Sequence, residues 1–122
     1  MFWFIMSNMD HNSRVPAFTG KNYPTWKIRM IAYLQSLGSD VFKQILIEYI
    51  PPVVDGVLKD FATYTAVENT AFCNNGKARN ALFRSLNDDD SNRVSECEFA
   101  FAIWDYLKLM YEGDKTVHEQ QR

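Results

Sequence analysis

Apolar residues recur along most of this chain at helical rather than alternating intervals. Trp26, Met30, Leu34 and Leu37 are spaced four, four and three apart. That is one face of an α-helix, with Tyr33 beside it and Lys27, Arg29 and Gln35 on the other faces. Pro24 stands where a first helical turn tolerates it, because that N–H needs no intrahelical partner. Gly38 suits the position just past the end. Ser39 or Asp40 is expected to cap a second, shorter helix carrying Val41, Phe42, Ile45 and Leu46, closed by Pro51-Pro52. Residues 51–58 read as a loop. From about Asp60 a long stripe runs through Phe61, Tyr64, Val67, Ala71, Ala78, Leu82 and Leu86. It keeps helical phase across Asn74-Asn75-Gly76, a poor helix sequence. Either one helix kinked there or two helices in line fit this pattern.

Asn87-Asp88-Asp89-Asp90-Ser91 reads as a turn full of capping side chains, with a short helical turn around Asn92-Arg93-Val94 after it. The last strong helix is expected from about Glu98 to Glu112, with Phe99, Ile103, Trp104, Leu107, Met110 and Tyr111 inside, and Gly113 ending it. Residues 114–122 read as the start of another helix. Ahead of the helices, Pro16 disfavours helix in the residue before it and Gly20 permits positive φ, so residues 15–23 read as an extended arm ending in a turn. No segment alternates well enough to predict a strand, and there is no internal repeat. The expected fold is all-α, a compact bundle of about five helices with an extended N-terminal arm, in one domain over residues 16–122 behind a dispensable tail of residues 1–15.

Composition narrows the function. The chain has 122 residues, 47% hydrophobic and 15% aromatic, with 5 Gly and 4 Pro, so it can fill a core. Its apolar runs fall far short of the roughly 18 residues that span a bilayer. Net charge is −2, made of +2 over residues 1–50 and −4 over residues 51–122. Nucleic-acid binding by bulk electrostatics needs a basic excess and is not expected, and the small asymmetry bears only on packing between like subunits. The apolar start, Met1-Phe2-Trp3-Phe4-Ile5-Met6, lacks the basic flank of a signal peptide, and translation from Met6 or Met9 is equally compatible. Two cysteines and no targeting signal point to an intracellular, cytoplasmic setting.

Candidate chemistry is sparse. Asp88, Asp89 and Asp90 are expected in a polar turn, with nothing apolar to raise a pKa for acid catalysis. Cys73 and Cys97 read as small core hydrophobes rather than as nucleophiles paired with His118. With His11 expected in the tail, two histidines and two cysteines do not make a four-ligand zinc site. The five glycines stand singly, so no phosphate-cradling loop exists. No catalytic, metal or cofactor residue is therefore assigned. Trp26 and Trp104 are expected to anchor the core. The sharper alternative is an apolar groove that takes a partner peptide, with Phe99 or Phe101 at its lip and Trp26 or Trp104 at its floor. Phe99 and Phe101, two apart on a helix, cannot both face inward.

Three stretches carry a resemblance. Phe18-x-Gly20-x-Asn22-Tyr23-x-x-Trp26-x-x-x-Met30-x-x-x-Leu34, then Lys77-Ala78-x-Asn80-Ala81 with Leu86 and Val94-Ser95-x-Cys97, then Ala102-Ile103-Trp104-Asp105-x-Leu107-x-x-x-Tyr111-Glu112-Gly113 resemble, in order, the N-terminal gag polypeptide of plant copia-type LTR retrotransposons. The match covers about residues 16–122. It implies a capsid-like N-terminal lobe that self-assembles through weak homotypic contacts between helix faces, without a membrane, an enzyme activity or a cofactor. In that family such lobes build particles that package element RNA. The motif residues would be structural, with Trp26, Met30, Leu34 and Trp104 packing helices and Gly20 and Gly113 permitting tight turns. Departures are Phe99-Ala100-Phe101, where the family has small or polar residues, and Phe42, where Trp is common. Without the family's Cys-Cys-His-Cys knuckle, protease, integrase or reverse transcriptase, the chain is expected to be a truncated copy or a host gene derived from one.

Overall fold

The amphipathic segments form helices in a computed structural model of the protein, which describes residues 14–112. Among the described residues there are five α-helices, α1 (Tyr23–Leu37), α2 (Ser39–Phe42), α3 (Ala66–Ser85), α4 (Asp88–Val94) and α5 (Ala100–Tyr111), and one hairpin of β1 (Val53–Val54) and β2 (Val57–Leu58). The fold is all-α, as the periodicity requires. Its core gathers Trp26, Met30 and Leu34 from α1, Val41 from α2, Ala78, Ala81 and Leu82 from α3, Val94 from α4, and Ala100, Ile103, Trp104 and Leu107 from α5. The indoles of Trp26 and Trp104 meet at 5.7 Å between ring centroids.

The extended arm is bolted to this core. The Phe18 N–H donates to the Ser85 carbonyl at 2.8 Å. The Phe18 ring is buried 4.9 Å from those of both Trp26 and Tyr111. Asn22 fixes the turn that follows: its Oδ1 accepts from the Thr19 N–H at 3.0 Å and its Nδ2 donates to the Ala17 carbonyl at 3.1 Å. Gly20 has φ +89° in that turn, a region that favours glycine. Val15, assigned to the tail from sequence, is half-buried against the core. Residues 1–13, with the apolar start and His11, lie outside the described residues. So do Gly113 and the helix expected over residues 114–122.

Several expectations are corrected. Leu37 and Leu46 are exposed, each at the end of its helical segment, past the last turn that reaches the core. Ser39 and Asp40 lie inside α2 and cap nothing, because the helix begins directly after Gly38. A 3-10 turn, Lys43–Ile45, ends that segment well before Pro51, since the residues beyond Ile45 are largely exposed and gain little by staying helical. The expected loop at 51–58 holds the hairpin. Asp55 and Gly56 take φ +53° and +79°, the turn that Asp-Gly favours, and pair Val53 with Leu58 and Val54 with Val57.

Helix α3 runs unbroken through Asn74-Asn75-Gly76. Phe61 and Tyr64 precede it; Phe61 sits in a 3-10 turn, Phe61–Thr63, capped by Asp60. Thr65 and Glu68 form a capping box at its start. Asn75 is buried for a reason that lies outside α3. Its Oδ1 accepts the Ala100 N–H at 2.9 Å and its Nδ2 donates to the Glu98 carbonyl at 3.0 Å. Phe99, at the N-cap of α5, has no side chain to offer that end, so a neighbouring helix supplies the polar group. The acidic turn and the helical turn after it are one helix, α4, capped by Asn87 rather than by an aspartate. Phe99 is extended rather than helical, so both Phe99 and Phe101 are half-buried, and Met110 faces out.

Replacing Trp104 by Ala is expected to cost about 3–5 kcal/mol, because its buried ring leaves a cavity between α1 and α5. Urea unfolding followed by circular dichroism measures this; a midpoint near that of the native chain would remove Trp104 from the core.

Candidate functional site

The residues singled out by sequence converge from both ends of the chain. The Trp26 Nε1–H donates to Ser85 Oγ at 2.6 Å and to the Pro16 carbonyl at 3.2 Å, while Ser85 Oγ donates to the same carbonyl. Tyr23 stacks on Tyr111 at 5.7 Å, and its hydroxyl donates to Glu112 Oε2 at 2.5 Å. Lys27 Nζ pairs with the same oxygen at 2.8 Å. Phe18, Tyr23 and Trp26 thus meet Trp104, Tyr111 and Glu112 in one aromatic and polar cluster, while Gly20 and Asn22 shape the turn beside it. Met30, Leu34 and Leu107 continue it inward as plain core. Asp105 is apart from it, exposed on α5.

Asp90 overturns the solvated-turn expectation. It is 3% exposed, and its carboxylate accepts from Tyr106 Oη at 2.8 Å, Tyr111 Oη at 2.6 Å and Asn87 Nδ2 at 2.9 Å. Burial pushes this carboxyl up, but the two hydroxyls and the amide outweigh it and hold the group below the usual carboxylate range. Burial and the Asp90 carboxylate together push Tyr111 up to about 12. Glu112 is lowered by Lys27 first and then Tyr23. The arrangement keeps carboxylates ionised and phenols protonated across the neutral range, which suits bracing rather than proton transfer. Asp88 and Asp89 remain exposed.

Cys73 is exposed on α3, not in the core, because the first half of α3 turns little of its surface inward. Cys97 is half-buried against the core, and its carbonyl accepts from Arg79 Nε at 2.7 Å. His118 lies outside the described residues.

The clustered aromatic residues do not line an apolar groove, and a polar recess of about 580 Å³ lies beside them at Gly20, Asn87, Asp90 and Tyr111. Trp26, 1% exposed, is no groove floor. Trp104 and Phe101 line only a small recess of about 270 Å³ with Leu46 and Lys108. A cleft of about 570 Å³ opens instead between residues 40–50 and the first half of α3, with Ile47, Ile50, Ala66, Val67 and Ala71 on its walls. Ile50 and Val67 are each 79% exposed, so the expected inner stripe of α3 faces water here. Among the described residues, the buried side-chain polar atoms without a hydrogen bond of ordinary geometry are Gln44 Oε1 and Tyr49 Oη, and both residues line this cleft. Burial, with the Tyr64 phenol nearby, pushes the Tyr49 hydroxyl up. The hairpin adds Val53, Val54, Val57 and Leu58, all exposed. The sequence held one signal of the cleft: Ile47 and Ile50 stand outside any helical stripe and so have no core to fill.

No protein-family model matches the chain, and no curated protein or solved structure matches it either. Among the described residues no helix is long and apolar enough to cross a membrane.

The depressed pKa of Asp90 gives a pH signature. Its contribution to stability is present above the unfolded carboxylate value, about 4, and is lost as pH falls through the lower folded value. Asp90→Asn should cost about 1–3 kcal/mol at neutral pH. The gap to the native chain should close as pH drops below about 4. Thermal unfolding at neutral and acid pH measures both, and a gap independent of pH would show that the carboxylate charge is not what braces the tyrosines.

Proposed function

We propose that this chain is a non-catalytic structural module that self-associates weakly through exposed apolar faces, and that it derives from a copia-type Gag lobe and works in the cytoplasm. The observation that carries this reading is the division of labour in the side chains. Asp90, Glu112, Ser85 and Asn75 are held in hydrogen bonds that join the arm and the helices to one another. Large apolar side chains stand outward instead: Ile28 on α1, Val67 on α3, Leu109 on α5 and both residues of each hairpin strand. Several small patches on different elements favour many weak contacts over one tight dimer. Contacts below about 1,200 Å² are transient as single pairs and gain strength by repetition. The convergence of both motif halves in one cluster supports the resemblance, since it gives each clustered residue a structural task.

The alternative is a host-adopted module that binds a short apolar peptide, which the cleft beside α3 favours. The two separate on whether the purified chain associates with itself.

Light scattering across a dilution series is expected to show a monomer at low micromolar protein and reversible growth at higher concentration. Val57→Lys with Leu109→Lys should suppress that growth while shifting stability by less than about 1 kcal/mol, both sites being exposed. A tight dimer at low micromolar concentration, or growth unchanged by the two lysines, would count against the reading.

A further inference from the structure

A further pocket, of about 290 Å³, lies against the middle of α3 and shares no residue with the cluster around Trp26. We propose that it binds a methylated ammonium group, held by the rings of Tyr49, Tyr64, Phe72 and Phe99 with Glu98 as the counter-charge. These rings come in two crossed pairs. Tyr49 and Phe99 meet at 60° with centroids 5.9 Å apart, and Tyr64 and Phe72 meet at 83° and 6.2 Å. The phenols of Tyr49 and Tyr64 lie close together, which joins the pairs. Phe61 backs the second pair, 5.0 Å from Tyr64 and 4.8 Å from Phe72. Rings set at such angles form corners rather than a flat stack, and the negative faces of rings around a corner attract a cation. Gly76 is the second observation. It stands in the middle of α3, where glycine is the poorest helix residue after proline. Neither a positive φ nor a close neighbour requires it, since a Cβ there would meet nothing within 4 Å. It lines the pocket, so its missing side chain keeps the space between helix and rings open.

The remaining lining groups decide the ligand's chemistry. Glu98 is exposed at the pocket and makes no ion pair with the described residues. The positive charge beside it is already engaged: Arg79 Nε donates to the Cys97 carbonyl, and its guanidinium lies 4.9 Å from the ring of Phe83, a residue outside the lining. The Asn75 amide is spent on the Ala100 N–H and the Glu98 carbonyl. An entering cation therefore meets a carboxylate and ring faces but no free amide. A primary ammonium would leave N–H groups stripped of water and unpaired there, a cost that methyl groups remove. The volume lies at the low end of the roughly 300–1,000 Å³ of small-molecule sites, so the pocket admits a head group rather than a whole drug-sized ligand. Such binding is independent of self-association and is read by a different measurement.

The test titrates the isotope-labelled full chain with choline and, separately, with 3,3-dimethyl-1-butanol, which has the same shape with carbon in place of the charged nitrogen. Choline is expected to shift the backbone amides of Phe72, Gly76 and Phe99 saturably and to bind at least about tenfold more tightly than the alcohol. Gly76→Leu, whose side chain starts from the pocket wall, should abolish those shifts. Glu98→Gln should weaken choline several-fold and leave the alcohol unchanged. Phe72→Leu keeps apolar surface and removes a ring face; Phe72 is exposed, so the fold should survive, read as unmoved indole N–H signals of Trp26 and Trp104. It too should weaken choline and spare the alcohol. A neutral peptide carrying one trimethylated lysine identifies the source: tighter binding than choline assigns the group to a protein side chain, equal or weaker binding to a small molecule. Equal affinity for choline and the alcohol would overturn the proposal by showing an apolar pocket only. So would the absence of saturable shifts at these amides, or choline binding unchanged by Phe72→Leu.

Discussion

The fold depends on one buried indole. Trp26 Nε1 reaches both Ser85 Oγ and the Pro16 carbonyl, so a single side chain joins the arm, the start of α1 and the end of α3. An indole N–H left unpaired in this place would cost about 1–3 kcal/mol, and the carbonyl of Pro16 would lose a partner with it. The ring also forms the floor on which Phe18, Tyr23 and Trp104 pack. Ser85 matters as much as the tryptophan: its Oγ accepts the indole N–H and its hydroxyl donates to the Pro16 carbonyl. An alanine there would keep the packing nearly intact and break both links.

A second constraint acts farther along α3. The first N–H groups of α5 need acceptors; the Phe99 carbonyl serves Ala102 and Ile103, but its side chain has none to give Ala100. Asn75 supplies one from a helix far away in sequence. A residue that weakens its own helix thereby completes another, and the net effect favours the pair because buried backbone groups are rarely left unpaired. The two polar links, at Ser85 and Asn75, hold α3 against different partners and leave its outer first half bare.

The buried stripes of α1 and α5 were legible in the sequence because burial there follows helical spacing: Trp26, Met30 and Leu34 on one, Ile103, Trp104 and Leu107 on the other. The stripe of α3 misled, since phase alone does not say where a neighbour ends; Val67 and Ala78 share a stripe and only Ala78 meets the core. The hairpin was present as Asp55-Gly56 between apolar pairs, but four residues of strand show too little alternation to register. Asp90 was hidden for another reason. Its neighbours Tyr106 and Tyr111 lie on α5, and only the fold brings phenols to a carboxylate that the local sequence places in water. The cleft was legible least, because it is made by absence of packing between segments whose relative placement no local pattern encodes.

The cluster that binds Phe18 and Tyr23 to Tyr111 and Glu112 has a consequence for synthesis. Its members lie some ninety residues apart in the chain, so the contacts that close it form only after α5 has emerged. A ribosome-bound precursor carrying α1 to α4 would display the faces of Trp26 and Phe18 to the surrounding medium until α5 clears the exit. Until then those rings are open to pairing with the wrong surface.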